Sequence, residues 1–202
     1  MSDLKTLVVF SHGKESGPWG SKIEALAALA RGQGAEVISI DYRLASDDGG
    51  GDRAAAPQFD ADARIDAGRR LEKLLAHPLP IHQRLVLVGS SMGAWVATAA
   101  SPILKPDGLF LLAPAFFMDG YPERALTPHA RRTLIIHGWR DTVVPPQNSV
   151  RFAQEHRCSL HVLDDDHRLN DAIDDIAQLF SNFLSGSPSA VIPAAAAGMG
   201  LL

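Results

Sequence analysis

A serine with small neighbours directly follows a short apolar segment. Residues 85–88 are Leu-Val-Leu-Val, and residues 89–93 are Gly-Ser-Ser-Met-Gly, with Ser91 at the centre of a Gly-x-Ser-x-Gly pattern. A tight turn from a strand into a helix needs small residues on both sides of such a serine, because larger side chains would collide. The helix amides beside the hydroxyl carry partial positive charge, which stabilises an oxyanion. The pattern therefore predicts a nucleophilic serine, and a plain β–α turn is the alternative.

A serine nucleophile needs a base, and the base needs an acid. The hydroxyl is a weak nucleophile until an imidazole takes its proton, and the imidazole needs an acceptor at its second nitrogen. Asp141 follows the apolar segment 134–136, and His167 follows the apolar segment 160–163. The carboxyl ends of parallel strands lie at one edge of a sheet. The positions therefore predict that Ser91, Asp141 and His167 meet there.

The three aspartates at positions 164–166 are the competing acids. They precede His167 in the same turn, where they are poorly placed to accept from the ring nitrogen that points away from the serine. We predict that this run is a solvated turn. A metal site built from the run with His161 and His167 is a further alternative, but the spacing matches no known ligand set. We predict that the protein needs neither a metal nor an organic cofactor. Asp141 as a helix cap also stays open, although the predicted helix begins only near Pro146.

Short apolar segments alternate with helical patterns along the chain. Segments that are apolar on both faces are typical of strands buried in a parallel sheet. Helical crossovers between them predict an α/β fold, a doubly wound and mainly parallel sheet of about six strands with helices on both faces. The predicted strands are 7–10, 37–40, 85–88, 109–112, 134–136 and 160–163.

The helical patterns are bounded by turn and capping residues. One helix begins near Pro18 with Trp19 on its apolar face, and the helix after Ser91 ends at Pro102. Asn170 is the predicted cap of the last helix. The other predicted helices are 59–76 and 146–156.

Composition limits the class of protein. The 202 residues are 46% hydrophobic and carry a formal net charge of −4, which suits one globular domain and not a nucleic-acid binder. We predict a single domain over residues 1–184, a loop over 46–57 and a loosely ordered tail over 185–202. Cys158, the single cysteine, excludes an intramolecular disulfide. Neither a signal peptide nor a membrane span is evident, so we expect a cytoplasmic protein.

The serine turn, the order of elements and the positions of Asp141 and His167 resemble the α/β-hydrolase fold superfamily, in particular its small lidless esterase-like serine hydrolases. The resemblance covers about residues 5–184. In that family the nucleophile, acid and histidine follow in this order, which assigns the three roles to Ser91, Asp141 and His167.

The resemblance also implies an oxyanion hole. The family's oxyanion loop follows the first strand and commonly begins His-Gly, and His12-Gly13 stand at that position. The resemblance implies that the backbone N–H groups of Lys14 and Met92 are the donors, with Glu15 as the alternative to Lys14. The further glycines of lipase-type loops are absent. We expect His12 to brace the loop and His137 to be structural.

The implied function is hydrolysis of a small-molecule carboxylic ester through an acyl-enzyme. The short connection between residues 113 and 132 leaves no cap, which predicts an open pocket for small or partly exposed acyl groups. Three alternatives remain from the sequence. The same residues would cleave thioesters, or amides and peptides, and a binding protein can keep the fold without turnover.

Overall fold

A six-stranded parallel sheet forms the centre of the molecule. The computed structural model describes residues 6–43, 61–122 and 126–186, so the predicted loop 46–57 and nearly all of the predicted tail lie outside the described residues. The strand order is β2-β1-β3-β4-β5-β6, and every neighbouring pair is parallel. The strands are β1 (Thr6–Ser11), β2 (Glu36–Ile40), β3 (Arg84–Ser90), β4 (Gly108–Leu112), β5 (Arg132–Gly138) and β6 (Ser159–Leu163).

Helices cover both faces of this sheet. Alternate residues of a strand point to opposite faces, and both sets are apolar here. In β1, Val8 and Phe10 pack with residues of α1 and α5, while Leu7 and Val9 pack with residues of α2, α3 and α4 on the other face. The predicted doubly wound α/β fold is confirmed, and the described residues include no cap domain. The helices are α1 (Ser21–Gly32), α2 (Ala61–Ala76), α3 (Met92–Leu104), α4 (Pro146–His156) and α5 (Ile173–Leu184).

The predicted start of α1 and the predicted end of α3 differ from the structure. Pro18 and Trp19 precede α1, which begins at Ser21. The helix α3 does not end at Pro102 but continues to Leu104. Proline lacks the N–H that would bond to the carbonyl of Thr98, and the hydroxyl of Ser101 donates to that carbonyl instead, at 2.7 Å.

The last helix begins later than the sequence indicates. It starts at Ile173 and not near Asn170. The N–H of Ala172 donates to Oδ2 of Asp165 at 2.8 Å, so a carboxylate from the preceding turn satisfies an amide at this helix start. The described residues include no helix of sufficient length and apolarity to cross a membrane.

The turn between β3 and α3 is held in a strained backbone conformation. Ser91 has φ 54° and ψ −117°, where few residues other than glycine are found. A Cβ on Gly89 would lie 2.4 Å from the Cα of Ala94, and one on Gly93 would lie 1.9 Å from the carbonyl oxygen of Ser11. The backbone of α3 therefore approaches β1 so closely that only glycine fits at position 93.

Gly93→Ala is expected to destabilise the protein, because the added methyl group meets backbone that cannot rotate away. We expect a loss of at least about 2 kcal/mol in the free energy of unfolding, measured with denaturant. The control is Gly68→Ala in α2, where an added Cβ meets nothing within 4 Å. That change should raise the free energy of unfolding by about 0.5–1 kcal/mol through helix propensity. Equal stabilities of the two variants would contradict the close approach at Gly93.

Candidate active site

The structure brings together Ser91, His167 and Asp141 at the carboxyl ends of β3, β6 and β5. Nε2 of His167 lies 3.0 Å from Oγ of Ser91, and Nδ1 of His167 lies 2.7 Å from Oδ2 of Asp141. The Asp141 side chain is fully buried, whereas 20% of the His167 side chain is exposed. The imidazole thus has the serine hydroxyl on one nitrogen, a buried carboxylate on the other, and access to solvent.

Backbone hydrogen bonds attach the serine turn to the end of β4. The N–H of Ser91 donates to the carbonyl of Leu112 at 2.8 Å. The carbonyl of Ser91 accepts from the N–H of Ala115 at 3.2 Å, besides the N–H of Ala94 within α3. The end of β4 and the residues that follow it therefore help to hold Ser91 in its strained conformation.

Four hydrogen bonds converge on the carboxylate of Asp141. Oδ1 accepts from the N–H groups of Val143 and Val144, each at 2.8 Å. Oδ2 accepts from His167 and also from Nε2 of His137, at 2.9 Å. Burial by itself would raise the pKa of this carboxyl, but the hydrogen bonds from both histidines and from Val144 outweigh burial and hold the pKa well below its usual range. Asp141 is therefore an ionised acceptor at neutral pH.

His137 is a second histidine in contact with the carboxylate of Asp141. It is fully buried, and its Nε2 faces two acceptors, Oδ2 of Asp141 and the carbonyl of Val144. That nitrogen must therefore carry a hydrogen. Nδ1 lies 2.7 Å from Oγ of Ser149 in α4. The sequence placed His137 in a structural role, and no spacing in it indicates that the ring faces Asp141.

The predicted solvated turn at residues 164–166 is wrong for its central member. Asp165 is 1% exposed, and its carboxylate accepts from the N–H groups of Asp166 and Ala172. The partner of Asp164 is the exposed Arg140. These aspartates form the frame of the turn that carries His167, while Asp141 accepts from the ring. The described part of the chain contains no cluster of three or more histidine, cysteine or acidic side chains that could hold a metal ion.

The loop after β1 passes beside Ser91. A Cβ built on Gly13 would lie 3.5 Å from Cβ of Ser91, so the two backbones are in contact distance. His12 is buried, and burial lowers its pKa, so the ring is neutral at neutral pH. Its Nε2 accepts from the N–H of Tyr42 at 3.2 Å, which leaves the ring hydrogen on Nδ1, 2.8 Å from the carbonyl of Gly13. The side chain of Lys14, the next residue, is exposed.

A lysine of α1 holds the turn that carries His167. The ammonium group of Lys22 in α1 donates to the carbonyl of Arg168. Burial lowers the pKa of Lys22 to about 8, although the nearby carboxylates of Asp165 and Asp166 oppose the shift. The sequence gives no indication of this contact, because the two residues lie at opposite ends of the chain.

The tryptophans do not share one environment. Trp95 is buried and lies against the ring of Tyr121, with 5.6 Å between the centroids. Trp19 and Trp139 are exposed, at 43% and 57%. Trp95 therefore belongs to the core that α2, α3 and α4 form with the sheet, while the other two lie at the surface.

Asp141→Asn is expected to reduce stability in a pH-dependent way. The pKa of Asp141 is lower in the folded protein than in the unfolded chain, so the ionised form stabilises folding. This stabilisation is complete above the pKa of an unfolded aspartate, about 4, and is lost as the pH falls toward the folded value. The difference in unfolding free energy between wild type and variant should therefore be largest at neutral pH and shrink below about pH 4.

The control for this measurement is Asp164→Asn, because Asp164 is exposed. Its difference from wild type should be small at all pH values. A difference for Asp141→Asn that stays constant into acid would contradict the depressed pKa.

Comparisons with known proteins agree on one family. A family model described as "Alpha/beta hydrolase family" matches residues 8–199. No curated protein matches this chain. Among solved structures, the chain is similar to a protein assigned to the alpha/beta hydrolase superfamily from Xanthomonas campestris pv. campestris, with 29% identity, a TM-score of 0.68 and coverage of 90% of this chain and 99% of the other.

Two further structures share the fold. One is a lidless α/β serine hydrolase from Xanthomonas campestris, 20% identical over 92% of this chain and 85% of the other, with a TM-score of 0.66. The other is Est1E from Butyrivibrio proteoclasticus, 15% identical over 90% and 87% of the two chains, with a TM-score of 0.66. The family resemblance seen in the sequence is confirmed: because the family model spans most of its length, this chain belongs to the alpha/beta hydrolase family.

Proposed function

We propose that the protein is a serine hydrolase that cleaves carboxylic esters with small or partly exposed acyl groups through an acyl-enzyme. One observation carries the proposal: the unbroken series of hydrogen bonds from Oγ of Ser91 through His167 to Asp141. A buried, ionised carboxylate at one end fixes the tautomer of the imidazole and stabilises its cation. The strained turn presents the hydroxyl at the other end.

In the first half-reaction, Oγ of Ser91 attacks the ester carbonyl carbon while Nε2 of His167 takes the hydroxyl proton. The negative charge passes to the carbonyl oxygen, which accepts hydrogen bonds from the backbone N–H groups of Lys14 and Met92. The tetrahedral intermediate collapses, the bond to the leaving alcohol breaks, and the alcohol oxygen takes the proton from His167. Ser91 then carries the acyl group.

In the second half-reaction, a water molecule takes the place of the alcohol. Nε2 of His167 removes a proton from the water as its oxygen attacks the acyl carbon. Collapse of the second intermediate breaks the bond to Oγ of Ser91, which recovers the proton from His167. The products are a carboxylic acid and the free enzyme. Throughout the cycle Asp141 accepts from Nδ1 and stabilises the imidazolium.

The connection between β4 and β5 supports an open acyl site. In its described part, the ring of Phe116 stacks on Phe152 of α4, with centroids 3.9 Å apart, so this stretch packs onto the body of the protein. The amide of Asn148 donates to the carbonyl of Phe116 at 2.7 Å and holds it there. No cap domain covers the His167 ring in the described part of the chain, and 20% of this side chain is exposed, so a long acyl chain would gain little burial.

Ser91→Ala tests the nucleophile. The variant should fold and should lose nearly all turnover of a small ester, by up to about 10⁶-fold as in a characterised serine protease. Wild type should form a covalent adduct with a fluorophosphonate probe, detected by intact-protein mass, and Ser91→Ala should form none. Ser90→Ala is the matched control and should keep both turnover and labelling. Retention of more than a few per cent of activity in Ser91→Ala would exclude this serine. A wild-type protein that neither labels nor turns over would be a binding protein of this fold.

The open site predicts a preference for short acyl chains. For p-nitrophenyl esters of increasing chain length, kcat/KM should be highest for the shortest members, because a shallow pocket buries few methylene groups. The measurement is kcat/KM across the series, with thioester and anilide analogues of the best acyl group beside it. A kcat/KM that keeps rising to long chains would contradict the open pocket. Faster turnover of the thioester or anilide would move the assignment to that class of substrate.

A further inference from the structure

A buried arginine lies beneath the loop that follows β1. Arg70 belongs to α2 and is 6% exposed. Its Nη1 donates to the carbonyl of His12 and to the carbonyl of Gly13, each at 3.1 Å. One guanidinium nitrogen therefore binds two consecutive carbonyl groups directly before Lys14, whose N–H is an oxyanion donor in the proposed mechanism.

Packing alone does not account for a cation at this position. Nε of Arg70 lies 3.0 Å from Oδ2 of Asp66, which balances the charge, and the guanidinium carbon lies 5.2 Å from the centre of the Tyr42 ring. The Nε–H is not directed at that carboxylate oxygen, so the contact is an ion pair, and no hydrogen-bond acceptor for this hydrogen lies in the part of the chain that is described. Burying a charge with an unsatisfied donor is costly, and an apolar side chain of similar volume often serves stability equally well. The contact with the two carbonyl groups is the feature that an apolar side chain would not replace.

The direction of each carbonyl group also fixes the direction of the N–H group in the same peptide. In a planar trans peptide the C=O and the following N–H point in opposite directions, and the described residues include no cis peptide. The carbonyl of Gly13 receives hydrogen bonds from Arg70 and from Nδ1 of His12. The N–H of Lys14 in the same peptide therefore points away from the guanidinium, and the backbone of Gly13 runs beside Ser91.

Hydrogen bonds to a carbonyl also polarise the N–H of the same peptide. A donor that carries a full positive charge has a stronger effect than a neutral donor, and the effect grows in surroundings that exclude water. The N–H of Lys14 thus becomes a better donor to a developing negative charge, and it needs no reorganisation when that charge appears.

We propose that Arg70 is a positioning residue of the oxyanion hole, which orients and polarises the backbone donor at Lys14 through the carbonyl groups of His12 and Gly13. The inference rests on the proposed function and deepens it. Arg70 acts through the backbone of the loop and not through Ser91, His167 or Asp141. Its effect should appear in the transition state, where the oxyanion exists, and not in the binding of the uncharged ester.

The test compares Arg70→Met, Arg70→Gln and Arg70→Lys with the control Arg69→Met, which removes the neighbouring exposed arginine of α2. For each folded protein, kcat and KM are measured with p-nitrophenyl acetate, together with the rate of fluorophosphonate labelling and the melting temperature. The labelling rate reports the same build-up of charge at the oxyanion position without a turnover cycle.

The neutral variants Arg70→Met and Arg70→Gln should lose kcat by about 10–100-fold with little change in KM, less than the roughly 10²–10³-fold that deleting a donor costs. Their labelling rates should fall in parallel. Arg70→Lys keeps the cation and should recover most of kcat, while Arg69→Met should match wild type. Rescue by lysine and loss confined to kcat would not follow from a purely structural role.

Three outcomes overturn the inference. A folded Arg70→Met or Arg70→Gln whose kcat stays within about twofold of wild type would show that the donors are set without Arg70. Failure of both neutral variants to fold would make Arg70 a structural residue. A wild-type protein that neither labels nor hydrolyses would remove the proposed function and this inference with it. The activity of the wild type distinguishes the two failures. An active wild type whose Arg70 variants keep their kcat contradicts only the role of Arg70, whereas an inactive wild type contradicts the proposed function itself.

Discussion

The contact between the backbone of α3 at Gly93 and the carbonyl oxygen of Ser11 is the constraint on which the site depends. A single added methyl group there would lie 1.9 Å from that oxygen. Because the first turn of α3 approaches β1 this closely, Ser91 is held at φ 54° between β3 and α3. The same approach brings the loop after β1 beside the serine. The strain at Ser91 and the position of the loop after β1 thus have one common cause, and the surrounding sheet stabilises both.

Asp141 supplies a buried negative charge to the site. Its carboxylate is buried yet keeps a depressed pKa, because backbone N–H groups occupy one oxygen and the two histidines occupy the other. His137 contacts the same oxygen as His167, so it fixes the carboxylate in the orientation that His167 uses. A buried negative charge held by fixed dipoles needs no rearrangement when the neighbouring imidazole becomes a cation.

Two cations from opposite layers hold the loops of the site. Lys22 in α1 donates to the carbonyl of Arg168, next to His167, and Arg70 in α2 donates to the carbonyls of His12 and Gly13. Loops at strand ends have few partners of their own, so side chains from the helix layers supply the hydrogen bonds. In this way the two faces of the sheet each support one half of the proposed machinery.

The sequence by itself determined the parallel sheet, the helices that cover it, and the strand ends at which Ser91, Asp141 and His167 stand. Apolar periodicity and the glycines of the serine turn are local signals, and the rule that parallel strands end at one edge converts them into a common site. The sequence did not determine that α3 continues past Pro102, that Asp165 is buried, or that His137, Lys22 and Arg70 face the site. The extension of α3, the burial of Asp165 and the contact of His137 with Asp141 depend on hydrogen bonds over one to seven residues, and no periodic pattern announces them. The contacts of Lys22 and Arg70 join segments that are far apart in the chain. Only the tertiary structure decides such contacts, because a buried polar group takes whatever partner the packing of distant elements brings within reach.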